Sequence, residues 1–359
     1  MFSVRIALVF LLFCSAPAYE QAQAETTSPN FEMLRIGCNP KWLKINFSHP
    51  ANLPSGIVSV LQSVSNYYNC TFSDDVEINI SFDYRPLGKD ILGEAKRETV
   101  TVPYRTVRSL ILNKTGFDKK IQDLNPVDDT VSFLTSSGTK IFSSLVLTRA
   151  NAKALGIVNP KDHGTDTTIT MSTGYNWTFD EYKGVPNTYS LMTVLTHEVG
   201  HALGFISGVD DSENPDFLDV YRHSDTSVAS GGASILWLPD VRSPTCNEVK
   251  YFFTSPVDKN PASKDCILAG GCNLHVEYSK GKKNGCDFQG SHWRDNQGIG
   301  LMDPTTATGE YQLLSGYDIQ ALYYLGWTPT NLRLIHAPGE LPGILIDCNQ
   351  AGANCVELP

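Results

Sequence analysis

Apolar residues recur at helical spacing in three segments of the chain. In residues 55–68 they stand three or four positions apart, directly after Pro54, where a helix tolerates proline. Residues 190–203 share this spacing and begin with Ser190, a suitable N-cap. Residues 315–325 repeat it and are followed by Gly326. Each of the three segments therefore predicts a helix.

Two shorter segments, residues 76–84 and 167–171, alternate apolar and polar residues and predict half-buried strands. Residues 141–147 predict a further strand. Residues 205–300 show little periodicity and are rich in Gly, Pro, Asp, Ser and Cys, so we expect their order to come from disulfides and the surrounding core. These patterns predict an α+β fold with a mostly irregular, disulfide-stapled C-terminal part that a helix closes.

The N-terminus resembles a secretory signal peptide. A cationic start precedes an apolar run over residues 6–13 and the small-x-small site Ala22-Gln23-Ala24. The apolar run is shorter than the roughly 20 residues that span a bilayer. A retained anchor, or a lipoprotein site at Cys14, is the alternative. We expect residues 1–24 to be removed, leaving a secreted, extracellular product without a membrane anchor.

The number of cysteines agrees with a chain that is exported. Removal of residues 1–24 leaves eight cysteines: Cys38, Cys70, Cys246, Cys266, Cys272, Cys286, Cys348 and Cys355. An even number in an exported chain is typical of disulfides. Clustering favours Cys38 with Cys70, Cys348 with Cys355, and pairing within the middle four. A structural zinc site in the middle four is the alternative, but they lack paired C-x-x-C motifs.

The net charge of the chain argues against two classes of binding partner. The formal net charge of −10 argues against nucleic acid or an anionic membrane, whose phosphates attract a basic surface. Residues 209–219 form an acidic segment whose carboxylate oxygens could hold calcium, although we favour the interpretation that it is a solvated loop.

The segment His197-Glu198-Val199-Gly200-His201 carries the clearest chemistry. Residues four apart on a helix share a face about 5–6 Å apart, so both imidazoles can reach one zinc ion. Glu198 stands beside the pair, where its carboxylate can take a proton from water that the metal activates. The motif predicts a single catalytic zinc held by His197 and His201, with Glu198 as the general base.

Two histidines leave zinc short of a third protein ligand. Ser207 occupies the position at which H-E-x-x-H-x-x-G-x-x-H would place one. His292 stands out by its context, Gly290-Ser291-His292-Trp293, with Leu301-Met302-Asp303-Pro304 shortly after it. The open alternatives are a histidine or a carboxylate elsewhere: His275, Glu213, Glu248 and Glu277.

The run HEVGHALGF, the distant SHW histidine and the following LMDP resemble the metzincin clan of zinc endopeptidases. The long insertion before the third histidine is similar to the leishmanolysin-type branch. The resemblance covers residues 40–328, but its specific motifs lie within 189–205 and 290–327. It implies a zincin fold with a mixed, twisted sheet and an active-site helix in the N-terminal part. It also implies His292 as the third ligand, Met302 in a turn beneath the zinc, and residues 314–327 as the closing helix.

The resemblance divides the mature chain into a metallopeptidase domain over residues 25–328, with an N-terminal subdomain to about 204 and a C-terminal one over 205–328. Residues 329–359 form a tail with a cysteine loop. We expect a monomer that takes a protein or peptide as substrate, and we expect the strand at 167–171 to be the sheet edge that pairs with it.

A secreted zinc metalloendopeptidase, a hydrolase that uses Glu198 as its general base, is the function these observations favour. The alternative is a secreted binding or adhesion protein on a catalytically lapsed zincin scaffold. Retention of Glu198 between the two histidines favours the enzyme. A zinc hydrolase acting on a bond other than a peptide bond is a third possibility.

Overall fold

A computed structural model describes residues 41–114, 129–135, 138–210, 214–223, 250–253, 275–282, 286, 288–330, 343–344 and 355–357. The described residues form an α+β fold. Their helices are α1 (Ser55–Thr71), α2 (Tyr104–Asn113), α3 (Arg149–Ala154), α4 (Leu191–Ala202) and α5 (Gly316–Tyr324), with a 3₁₀ helix over Phe217–Tyr221. The three helices that the sequence predicted are α1, α4 and α5, and each is confirmed.

The strands of the described residues follow in chain order: β1 (Lys44–Ser48), β2 (Glu77–Arg85), β3 (Gly93–Arg97), β4 (Thr99–Pro103), β5 (Val131–Thr135), β6 (Gly138–Phe142), β7 (Ser144–Thr148), β8 (Thr167–Ser172), β9 (Trp177–Thr178), β10 (Tyr189–Ser190), β11 (Arg222–His223), β12 (Lys250–Phe253), β13 (His275–Tyr278), β14 (Thr305–Ala307), β15 (Tyr311–Gln312), β16 (Gly343–Ile344) and β17 (Cys355–Glu357). The predicted strands at 76–84 and 167–171 are confirmed as β2 and β8. The strand predicted at 141–147 is two strands, β6 and β7, which part at Ser143.

A four-stranded mixed sheet in the order β1-β2-β8-β3 forms the centre of the N-terminal part. β1, β2 and β8 run parallel, and β3 runs antiparallel to β8. The prediction that residues 167–171 form the open edge is wrong, because β8 lies between β2 and β3. The prediction that this strand is half-buried is wrong as well, because five of the six residues of β8 are buried. Alternation does not report how many neighbours a strand has. Among the described strands the two edges of this sheet are β1 and β3, and the sequence of β3, GEAKR, carries the charges that edge strands favour.

Helix α4 is buried along its entire length, so the single apolar face predicted for it understates its burial. All twelve of its residues are buried, including the polar ones. Tyr68 on α1 contributes to this enclosure, because its hydroxyl donates a 2.8 Å hydrogen bond to the carbonyl oxygen of Thr196. A buried helix places its functional side chains in a region shielded from water, where electrostatic interactions are strong.

The C-terminal part contains short antiparallel pairings around α5. β11, β12 and β13 form one sheet, β14 pairs with β17, and β15 pairs with β16. The described pieces of the predicted tail, β16 and β17, thus pair with strands that precede α5.

Several predictions fall outside the described residues, among them the signal peptide at 1–24 and five of the eight cysteines. Cys70 and Cys286 are each disulfide-bonded, and the choice of partner stays a prediction. In the part of the chain that the structure describes, no helix is both long and apolar enough to cross a bilayer.

Candidate metal centre

Helix α4 carries two histidines one turn apart. It begins with Ser190, whose hydroxyl accepts a 3.2 Å hydrogen bond from the backbone N–H of Thr193, as an N-cap does. His197 and His201 then face the same side, and their Nε2 atoms lie 3.0 Å apart. Directly after the helix, Gly204 adopts φ +118°, which turns the chain away.

The third histidine, His292, lies 91 residues after His201 in the chain (292 − 201) and next to the other two in the structure. His292 lies between backbone contacts on both sides: its carbonyl oxygen accepts a 3.0 Å hydrogen bond from the N–H of Ser279, and the N–H of Trp293 donates 2.8 Å to the carbonyl of Met302. One ring nitrogen from each of His197, His201 and His292 lies within 4.8 Å of the others. Within the ranges that the structure describes, these three form the one group of potential metal ligands.

Each imidazole is oriented by a backbone carbonyl on the side away from the cluster. The Nδ1 of His197 lies 2.8 Å from the oxygen of Leu301, that of His201 lies 2.6 Å from Phe205, and that of His292 lies 3.3 Å from Gln289. A carbonyl oxygen only accepts, so each Nδ1 carries the proton and each Nε2 presents a lone pair. This arrangement is the one that metal-binding histidines adopt.

Burial keeps the three rings neutral, which is the form that binds a metal. Loss of solvent lowers the pKa of His197 to about 4, against the opposing effect of the Leu301 carbonyl. Burial also holds the pKa of His201 and of His292 well below the ordinary value, and the neighbouring imidazoles lower both further.

The donor set fits a zinc ion. Three neutral imidazole nitrogens converge, and the buried Nε2 of His292 has no hydrogen-bond partner among the described residues. Nitrogen ligands at about 2.0–2.1 Å around a tetrahedral centre stand roughly 3.3 Å apart. The 3.0 Å between the Nε2 atoms of His197 and His201 is close to this spacing. Three protein ligands would leave one position open, as in catalytic zinc sites.

Glu198 lies beside the cluster, is fully buried, and has a carboxylate that is not committed elsewhere. Neither of its oxygens has a hydrogen-bond partner among the described residues. Burial raises its pKa to about 8; the positive charge of Arg97 opposes this rise and the negative charge of Glu94 adds to it. Gly93 at the start of β3 lies directly above it, since a Cβ there would be 3.5 Å from Oε1. The edge strand therefore passes next to the carboxylate.

Met302 packs against the backbone of α4 between the two histidines. A Cβ at Gly200 would lie 2.6 Å from the sulfur of Met302, so a side chain at this position and Met302 compete for the same space. The backbone around Met302 is fixed by Asp318, which accepts hydrogen bonds from the N–H groups of Leu301 (2.8 Å) and Met302 (3.3 Å). Met302 thus supports the helix that carries two of the three imidazoles.

Among the other candidates for the third ligand, Glu277 does not join the cluster. Glu277 pairs instead with the guanidinium of Arg294. His275 begins β13, where its backbone is paired with Phe253. Glu213 and Glu248 lie outside the described residues.

The calcium site considered for residues 209–219 stays a prediction, because residues 211–213 are not described. One carboxylate of that segment has other partners. Asp219 accepts hydrogen bonds from Ser207 Oγ (2.6 Å), from the N–H of Gly208 (2.8 Å) and from the N–H of Asp216 (2.9 Å).

Sequence reasoning missed the groups that orient the histidines. The carbonyls of Leu301 and Phe205 carry no sequence signal, because every residue has one. Asp318 has a partial signal: Ser315-x-x-Asp318 is a capping-box pattern, and the structure contains that box. The pattern predicts the start of α5 but not the contacts to Leu301 and Met302.

Comparison of the chain with protein-family models, with curated proteins and with solved structures finds no match in any of the three.

Proposed function

We propose that this protein is a secreted zinc endopeptidase of the metzincin type. The observation that carries the proposal is the convergence of His197, His201 and His292 on one point, with the uncommitted carboxylate of Glu198 beside it. A structural zinc site has no use for a carboxylate that is buried without a partner, because such a group costs stability. A hydrolytic site uses it as a base.

His197, His201 and His292 would hold the ion through their Nε2 atoms. When bound, zinc supplies Lewis acidity that polarises the scissile carbonyl and makes water a stronger acid. Glu198 accepts the proton of the attacking water and then delivers it to the leaving amine. No hydrogen-bond donor among the described residues competes for its oxygens.

A peptide is the substrate that the sheet edge favours. Among the described strands β3 has a single neighbour, β8, so one side of its backbone is available to a further strand. The same strand passes over Glu198 at Gly93. An extended peptide added to β3 would gain main-chain hydrogen bonds while one of its peptide bonds lies near the carboxylate.

Two further features support the metzincin assignment over a general zinc hydrolase. Met302 lies against α4 at Gly200, in agreement with the position beneath the site that the resemblance implies for this methionine. Helix α5 follows shortly after it and, through Asp318, holds the turn that contains Met302.

The test is digestion of casein by the purified mature chain, with a chelator, with zinc restored after chelation, and with the variant Glu198→Gln. We expect cleavage that the chelator abolishes, that zinc restores and that the variant lacks. Stoichiometric zinc without cleavage of casein or of a peptide library would contradict the peptidase assignment and favour a binding protein or another hydrolase.

A further inference from the structure

A buried ion pair, Arg222 with Asp219, lies next to the backbone that surrounds the third histidine. The Nε of Arg222 stands 3.5 Å from Oδ1 of Asp219, and the two side chains are 2% and 0% exposed. Neither residue belongs to the metal centre. Burying two charges is expensive, so a pair of this kind is weak evidence for stability, and a role in positioning is a hypothesis that its contacts must support.

Arg222 holds both backbone segments that flank His292. Its Nη1 donates 2.9 Å to the carbonyl of Ser279, and its Nη2 donates to the carbonyl of Gly290. Ser279 in turn donates its own N–H to the carbonyl of His292, at 3.0 Å. The guanidinium also lies 4.2 Å from the ring centroid of Tyr278, which fixes its plane.

Asp219 connects this arrangement to the segment that leaves α4. It accepts hydrogen bonds from Ser207 Oγ at 2.6 Å and from the N–H of Gly208 at 2.8 Å. The N–H of Ser207 then donates 3.0 Å to Oγ of Ser291, the residue before His292. Ser207 occupies the very position where a compact H-E-x-x-H-x-x-G-x-x-H motif would carry its third ligand.

We propose that Arg222 and Asp219 are positioning residues that set His292 against His197 and His201. The proposal rests on the proposed zinc site. In this chain a serine replaces the nearby histidine, and the ligand returns after 91 residues (292 − 201), so sequence proximity cannot hold it in place. The hydrogen bond from His292 Nδ1 to a backbone carbonyl, at 3.3 Å, is longer than those of His197 and His201. The position of His292 therefore depends mainly on its backbone.

Arginine suits this role because its planar guanidinium presents several donors at fixed angles and stays charged. It contacts two carbonyls, one carboxylate and one ring face at once. Lysine keeps the charge but offers a point donor that cannot reach both carbonyls in this way. Arg222→Lys therefore separates positioning from charge.

The experiment measures metal binding rather than activity. Zinc affinity is determined by competition with a chelating dye, and the coordination of bound Co²⁺ is followed by its visible absorption. Both measurements are made on Arg222→Lys, Asp219→Asn, His292→Ala and the double variant Arg222→Lys/His292→Ala. Arg149→Lys is the matched control, since Arg149 also pairs with a buried aspartate, Asp166, but belongs to α3. Circular dichroism checks that each variant folds.

We expect Arg222→Lys to weaken zinc binding about 10–100-fold, the usual loss when a group that orients a ligand is changed. Its cobalt spectrum should move toward that of His292→Ala, and the double variant should bind no more weakly than His292→Ala alone. Asp219→Asn, which keeps the size of the side chain, should change both readouts in the same direction by less. Arg149→Lys should change neither.

Wild-type affinity and spectrum in Arg222→Lys, or losses that add in the double variant, would overturn the positioning role. If Arg222→Lys does not fold, Asp219→Asn takes its place: wild-type affinity and spectrum in Asp219→Asn would then overturn the positioning role. Zinc binding that depends on Arg222 without any peptide cleavage would overturn the peptidase function and leave this inference standing. Failure of the wild-type chain to bind zinc would overturn both.

Discussion

The indole Nε1 of Trp293 donates a 2.7 Å hydrogen bond to Oδ1 of Asp318. This contact joins the residue after His292 to the first turn of α5. Because the same carboxylate also holds the backbone of Leu301 and Met302, one buried side chain connects three segments that surround the metal centre.

Replacing Asp318 should therefore loosen the whole C-terminal side of the site. In Asp318→Ala the donors of Trp293, Leu301 and Met302 lose their acceptor, and each buried donor left unsatisfied costs about 1–3 kcal/mol. We expect the free energy of unfolding, measured in urea, to fall by at least about 3 kcal/mol. Trp293→Phe removes one of these donors and should cost less than half as much. Equal losses in the two variants would contradict the shared-acceptor role.

Glu198→Gln should separate metal binding from hydrolysis. The three imidazoles do not depend on this carboxylate for any hydrogen bond, so zinc stoichiometry should remain at one per chain. Loss of a general base typically lowers the rate about 10²–10⁴-fold, and we expect kcat/KM on a peptide to fall by this amount. The control is Glu77→Gln, because Glu77 pairs with Lys44 on the strand pair β1–β2. A variant within about tenfold of wild type would remove Glu198 from the mechanism.

Gly200 should not tolerate alanine while Met302 is present. The added Cβ would lie 2.6 Å from the sulfur of Met302 inside a packed region, and overpacking of this kind costs about 1–3 kcal/mol. Urea unfolding of Gly200→Ala, Met302→Ala and the double variant measures the coupling. We expect the double variant to be less destabilised than the sum of the two single changes. Strict additivity would show that the two residues do not compete for space.

The pH dependence of stability should contain a contribution from Asp303. Burial, with the negative charges of Asp295 and Glu310 nearby, raises the pKa of this carboxyl well above its ordinary value. The folded state therefore binds this proton more tightly than the unfolded state, so the associated stability is complete below about pH 4 and is lost as the pH rises through the folded-state pKa.

Removing the neighbouring charge should reduce that loss. We expect the free energy of unfolding of Asp295→Asn to decline less between pH 5 and pH 8 than that of wild type. Asp83→Asn is the control, because Asp83 is only half-buried on β2 and pairs there with Arg85. An unchanged decline in Asp295→Asn would show that the two carboxyl groups do not interact.

The candidate site divides into a part that the sequence predicts and a part that it does not. Helical periodicity alone places His197 and His201 on one face, because a four-residue spacing is nearly one turn. His292 was predicted from its neighbours and from the resemblance, and the structure brings it to the other two. The sequence could not predict the Arg222–Asp219 pair, since nothing in a local pattern indicates that a side chain will reach across 68 residues to Gly290 (290 − 222).

The sheet edge shows a different limit of sequence reasoning. β8 alternates cleanly and β3 does not, yet β8 is a central strand and β3, like β1, is an edge among the described strands. Glu94 and Lys96 interrupt its apolar pattern because one side of an edge strand faces solvent. Strand order depends on contacts between residues far apart in the chain, and a local pattern does not report these contacts.

X-ray diffraction from crystals of the zinc-loaded protein, with anomalous data collected on both sides of the zinc absorption edge, tests the central claim most directly. The account predicts one strong anomalous peak about 2.0–2.1 Å from the Nε2 atoms of His197, His201 and His292, with the Glu198 carboxylate close by but outside bonding distance. A peak at any other group of residues, or a peak that only two of these imidazoles contact, would contradict it.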